Sequence, residues 1–174
     1  MRFLLILVLI ALPVIALGQT EKQKQEFINF VFESNLPDAL KGLYSQNSIK
    51  SVYRINKEIN PFYLRGDFNG DGKMDYALAI VEIRTGKAGI VIYHTDTKKT
   101  YIIGAGVKIP NSYGDDFQWM NAWTVYDKKD VGIGVGETRK LVLKGEAILA
   151  EKLESSGGLI YWDGKEYRWY QQGD

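Results

Sequence analysis

The densest group of chemistry-bearing side chains in this 174-residue chain is Asp67-Phe68-Asn69-Gly70-Asp71-Gly72-Lys73-Met74-Asp75. It sets oxygen-bearing side chains at positions 1, 3, 5 and 9 of a nine-residue stretch. Hard cations such as Ca²⁺ take several oxygen ligands at ~2.3–2.6 Å, and alternate residues of a tight loop can all point to one focus. Gly70 and Gly72 fall where such a backbone must turn sharply. Lys73, at position 7, would offer its carbonyl oxygen and keep its side chain in water. Three carboxylates this close repel one another when nothing lies between them, and a divalent ion removes that cost. The competing reading is a plain solvated turn, because Asp-Gly and Asn-Gly turn readily without metal. Four oxygen side chains in register favour the metal. The ligands expected are Asp67, Asn69, Asp71, Lys73 and Asp75, and the ion expected is Ca²⁺.

Other chemistry finds less support. The chain has no Cys and a single His, His94, so zinc coordination and a Ser-His-Asp arrangement both lack parts. His94 reads as a half-exposed strand residue. Gly132, Gly134 and Gly136 alternate, but no Gly-Lys-[Ser/Thr] follows and Glu137 stands where a dinucleotide loop needs glycine. A hydrolase would need two carboxyl groups facing across a cleft. Asp115, Asp116 and Glu137 lie in long connections that could supply them, yet nothing in the sequence makes them converge. The domain therefore reads as non-enzymatic. The aromatics Trp119, Trp123, Tyr161, Trp162, Tyr167, Trp169 and Tyr170 are a rival clue, since whichever face stays wet could bind an extracellular protein or a glycan. In that alternative the chain is a recognition module, a glycan binder, adhesin or enzyme inhibitor, with an aromatic patch beside residues 105–118.

The elements that must hold these residues follow from periodicity. Thr20-Glu21-Lys22-Gln23 has capping-box spacing, Phe27, Phe30 and Val31 follow at helical spacing, and Pro37 ends the pattern. This predicts an amphipathic helix over 20–34, with a shorter helical turn after it carrying Leu40, Leu43 and Tyr44. From residue 51 onward short β-rich runs alternate with turns. Runs are expected at 52–55, 76–83, 89–93, 100–103, 119–126, 140–143, 146–153, 159–162 and 166–170. Asp163-Gly164 predicts a two-residue hairpin turn between the last two. The fold class expected is mainly β within α+β: an N-terminal helix packed on an antiparallel β meander.

At the N-terminus, Met1-Arg2 precedes an apolar run from Phe3 to Leu12, then Pro13 and a small-x-small ending at Ala16 and Gly18. That is the pattern of a secretory signal over 1–18 cleaved before Gln19, leaving a single domain over 19–174. Position 19 is Gln, so lipid attachment through a Cys is excluded, and a secreted or periplasmic location is expected. Without Arg2, the 22 basic residues fall to 21 against 21 acidic. Zero net charge gives no long-range attraction to nucleic acid or anionic lipid.

The stretch Gly66–Ala77 resembles the FG-GAP repeat, also called VCBS-type, over about twelve residues. In that family a D-x-[DN]-x-D-G-x-x-D loop joins two strands and binds calcium. By position the resemblance implies ligand roles for Asp67, Asn69, Asp71, Lys73 (carbonyl) and Asp75. It does not imply a propeller, because the chain carries one copy. An EF-hand fits less well: position 12 is Leu78 where a bidentate Glu is needed. The chain as a whole is similar to small secreted bacterial proteins with one such loop, a likeness that implies no activity.

Overall fold

A computed structural model of the chain describes residues 20–112, 114–127, 130–136 and 138–172. The expected signal segment 1–18 and Glu137 lie outside the described residues. Among the described residues three helices, α1 (Glu21–Ser34), α2 (Asp38–Tyr44) and α3 (Asn47–Lys50), precede nine strands. The strands are β1 (Tyr53–Ile55), β2 (Tyr63–Gly66), β3 (Asp75–Glu82), β4 (Ala88–His94), β5 (Lys99–Gly104), β6 (Ala122–Tyr126), β7 (Ala147–Glu151), β8 (Gly157–Trp162) and β9 (Tyr167–Gln171). Among the described residues no helix is long and apolar enough to cross a membrane.

All pairings are antiparallel, as the alternating runs require, but they divide into two sheets. In the first, β3, β4 and β5 form a meander, while β1 and β2 lie end to end along the free edge of β3. The second is the meander β6-β7-β8-β9. The long connection after β5 carries the chain from one sheet to the other, so the strands build two meanders rather than one. The 140–143 run does not form a strand of its own: Val142 makes an isolated bridge with Asp130. β8 and β9 are joined by four residues, not two, since the last pair is Trp162 with Tyr167. The Asp163 carboxylate accepts hydrogen bonds from Lys165 N (2.8 Å) and Glu166 N (2.9 Å), closing that turn with a side chain.

The period-two alternation of β3 explains the layering. Ala77, Ala79 and Val81 face the second sheet, where they meet Trp123, Ile148, Ile160 and Trp169 in the main core. Leu78 and Ile80 face the other way and pack with Ile55, Leu40, Leu43 and Ile49 under the helices. The far face of the second sheet is covered by its own connection, through Val131, Leu143, Leu159 and Tyr170. Tyr170 also pins that connection: its hydroxyl donates to Gly132 O (2.9 Å) and accepts from Gly134 N (2.7 Å). The Gly-rich run 132–136 is thus packing against a tyrosine.

Helix α1 has the capping box, with Gln23 N donating to Thr20 Oγ1 and Thr20 N to Gln23 Oε1. Its apolar side differs from the expected one. Phe27 and Phe30 are exposed, and the covered face runs through Ile28 and Phe32, whose ring meets Phe62 edge-on at 4.9 Å. The helix rests on the domain through its last turns, so its first turns have no sheet beneath them.

Candidate metal centre

The 67–75 stretch is the tip of the β2–β3 hairpin, closed by the pair Gly66 and Asp75. Its side chains fold inward onto its own backbone. Asp67 Oδ1 accepts from Gly70 N (2.8 Å) and Asp71 N (3.0 Å), and Oδ2 accepts from Gly72 N (2.9 Å). Asn69 Oδ1 accepts from Asp71 N (2.9 Å), while Asn69 Nδ2 donates to Asp71 Oδ2 (2.9 Å). Asp71 Oδ1 accepts from Lys73 N (2.8 Å). These bonds hold the Asp71 carboxyl below its ordinary range, with the Asn69 amide the chief cause. The Lys73 ammonium turns away to pair with Asp96, which keeps that charge out of the loop's focus.

Asp75 is set apart by burial. As first residue of β3 it continues the inward row of Ala77 and Ala79, and it is fully buried. Its Oδ1 accepts from Thr95 N (3.0 Å). Its Oδ2 is the one buried side-chain oxygen or nitrogen without a hydrogen-bond partner among the described residues. Burial raises this carboxyl from 3.8 to about 6; the nearby Asp71 and Asp67 charges add to the rise, and the backbone amides of Thr95 and Asn69 oppose it. A buried acceptor with nothing to accept from costs on the order of 1–3 kcal/mol, and more when charged.

Four of the five expected ligands therefore form one connected group. Asp67, Asn69 and Asp71 are tied by hydrogen bonds, and Asp75 lies at their base within range of their charge. For Lys73, only the amide hydrogen bond and the outward ammonium bear on the loop. Among the described residues no three His, Asp or Glu side chains converge closely enough to enclose a metal ion as they stand. The reason is visible in the bonding: the loop's carboxylates serve its backbone amides. Asp67 Oδ2 and both Asp71 oxygens accept one bond each and retain lone-pair capacity, whereas Asp67 Oδ1 already accepts two. The set is all oxygen, which suits a hard cation, and the orphaned Asp75 Oδ2 is the atom such an ion would satisfy.

Two neighbours were not legible beforehand. Glu146, just before β7, accepts from Asp67 N through Oε2 (2.6 Å), and Glu146 N donates to Asp67 O (2.7 Å). Gly145 lies so close that a Cβ there would stand 2.5 Å from Gly70 N and nearer still to Asp67 O. Gly70 is equally confined: its φ is +78°, and a Cβ would meet the Lys144 carbonyl carbon at 2.9 Å. The loop of the first sheet is thereby clamped by the lead-in to the second. No sequence signal links residues 79 apart in this way.

Behind the loop lies His94, which is buried rather than half-exposed. Its Nε2 and the Tyr167 hydroxyl share a hydrogen bond of 2.6 Å. Its ring packs against Tyr101 (4.7 Å), Trp162 (5.2 Å) and Tyr167 (5.7 Å). Burial lowers the His94 pKa despite the Asp71 and Asp67 charges, and burial likewise raises that of Tyr167. The neutral imidazole acts here as a core ring with one polar tie. Of the carboxylates in the long connections, Asp115 and Asp116 are each engaged by neighbours on the first sheet or its turns. Asp115 is bound to Lys87 at 2.6 Å, and Asp116 Oδ1 accepts from Ala88 N (2.9 Å) and Gln118 N (3.0 Å).

Comparison with protein-family models, with curated proteins and with solved structures returns no match for this chain.

Proposed function

We propose that the 67–75 loop binds one calcium ion and that the ion braces the junction of the two sheets in a secreted or periplasmic, non-enzymatic β-domain. The observation that carries this reading is the buried Asp75 Oδ2, which has no hydrogen-bond partner and lies within range of the Asp67 and Asp71 charges of an oxygen-rich loop. Asp67, Asn69, Asp71 and Asp75 would hold the ion, with the Lys73 carbonyl completing the set. The ion supplies positive charge where three carboxylates otherwise repel and where one is buried. The chain's own part is mechanical. Glu146 and Gly145 tie the loop to the second sheet, so fixing the loop also fixes the approach to β7.

The size of the effect follows from linkage. Extracellular modules bind calcium with Kd of ~10⁻⁴–10⁻³ M. At ~1 mM calcium and the tighter limit this gives about 1.4 kcal/mol of stabilisation. For a domain of this length that raises the melting temperature by roughly 3–6 °C. Thermal melts of the 19–174 chain in calcium and in chelator read it directly. The expected outcome is that rise in the wild-type chain and none in Asp71→Ala. Equal melting temperatures in calcium and chelator would remove the reading.

A further inference from the structure

We propose that a cleft at the opposite end of the sandwich binds a neutral saccharide, stacked on the exposed indole of Trp119. The site is separate from the calcium loop. It opens beside Ala88, where β4 begins, whereas the loop lies beside His94, where β4 ends. Six residue steps along a strand put about 20 Å between them.

The cleft has a volume of about 470 Å³, within the range of small-ligand sites. Trp119, Trp169, Asp116, Ser112, Ser156 and Gln171 are among the residues that line it. Its platform is preformed. Trp119 stands edge-on to the buried Trp169 at 5.7 Å and 88°, and Phe117 packs against it at 5.8 Å. Phe117 N donates to Ala88 O and Asp116 Oδ1 accepts from Ala88 N, so the segment bearing Trp119 is fastened to the start of β4. Such fastening reduces the ordering cost of binding. Trp119 nonetheless keeps 37% of its surface in water, more than a core indole does.

The polar groups choose the ligand. Among the described residues the lining carries one carboxylate and no cation, which disfavours phosphates and acidic sugars. A wholly apolar ligand would cover Asp116 Oδ2, the oxygen that receives no backbone amide, and offer it no donor. A neutral saccharide meets both demands, since a sugar ring has a C–H face for the indole and hydroxyls for the rim. Among the described residues Asp116 Oδ2 and Ser156 Oγ make no hydrogen bond, so both are open to such hydroxyls.

The test uses cellotetraose, maltotetraose and chitotetraose, titrated calorimetrically into the 19–174 chain. At least one should bind saturably below about 10 mM, and Trp119→Ala should weaken it about tenfold or more, the worth of one aromatic contact. A bound saccharide should also protect Trp119 of the unaltered chain from oxidation by N-bromosuccinimide, read by mass spectrometry, which needs no variant to fold. Asp71→Ala should bind the saccharide as the wild type does, so loss of calcium binding and loss of the cleft are told apart. No binding by any of the three, binding unchanged in Trp119→Ala, or no protection of Trp119 would overturn the proposal.

Discussion

Asp75→Asn should make the calcium-free protein more stable at neutral pH while abolishing its response to calcium. Asn keeps the shape and can keep the acceptor for Thr95 N, but it removes a charge that burial disfavours. The Asp75 carboxyl titrates at about 6 in the folded chain against 3.8 ordinarily. The folded state then holds its proton more tightly than the unfolded state does. Stability from this group is full below pH ~4 and is lost as pH rises through about 6. At pH 7 and above, a charge held under that penalty costs up to about 3 kcal/mol. Urea unfolding in chelator should therefore show Asp75→Asn ahead of wild type at pH 8 and level with it near pH 4. Calcium should restore the wild type and leave the variant unmoved. A variant less stable than wild type in chelator at pH 8 would mean that the buried oxygen already has a stabilising partner.

Gly145→Ala should do the most damage for the smallest change. A single methyl at residue 145 would fall 2.5 Å from Gly70 N and nearer to Asp67 O, and both are backbone atoms that cannot swing aside. Relieving the clash means parting the loop from the lead-in to β7 and straining the Glu146 N to Asp67 O bond of 2.7 Å. Overpacking of this kind costs about 1–3 kcal/mol, with the lost hydrogen bond added. Because Gly145 supplies no ligand, calcium affinity should fall only through displacement of the loop, by about tenfold for each 1.4 kcal/mol of distortion. Chemical denaturation and a calcium titration of the same variant measure both effects. Gly72→Ala separates approach from strain. Gly72 has φ of +80° but nothing within 4 Å of a Cβ, so its cost should be confined to the backbone conformation. Equal, small losses in the two variants would show that the clamp at Gly145 has slack.

The hairpin tip was legible because its information is local. Spacing alone singled out Asp67, Asn69, Asp71 and Asp75, and flanking β patterns placed them between strands, as β2 and β3 do. The β-rich class was legible for the same reason, since alternation and turn residues repeat along the chain. What escaped was set by contacts between distant segments. The division into two sheets depends on where the chain crosses after β5, which no period reports. Glu146 and Gly145 gain their role only when the second sheet arrives beside the loop. His94 looks like any polar strand residue until its inward parity beside Ile92 sets it against Tyr167. Phe27 and Phe30 misled in the opposite sense: helical spacing showed an apolar stripe, yet the supporting surface reaches only the turns around Phe32. Among the aromatics, alternation correctly put Tyr167 and Trp169 on one face of β9, and both are core, whereas Trp119 stays exposed next to the 105–118 segment.

The central claim is that the loop's oxygens gather around a doubly charged ion at Asp75. Crystals of the 19–174 chain grown with calcium, with anomalous diffraction collected to locate the ion, test it most directly. The account predicts one peak per chain, at ~2.3–2.6 Å from oxygens of Asp67, Asn69, Asp71 and Asp75 and from the Lys73 carbonyl. An ordered loop with no such peak, and Asp75 Oδ2 bonded instead to a water or carrying its own proton, would contradict it.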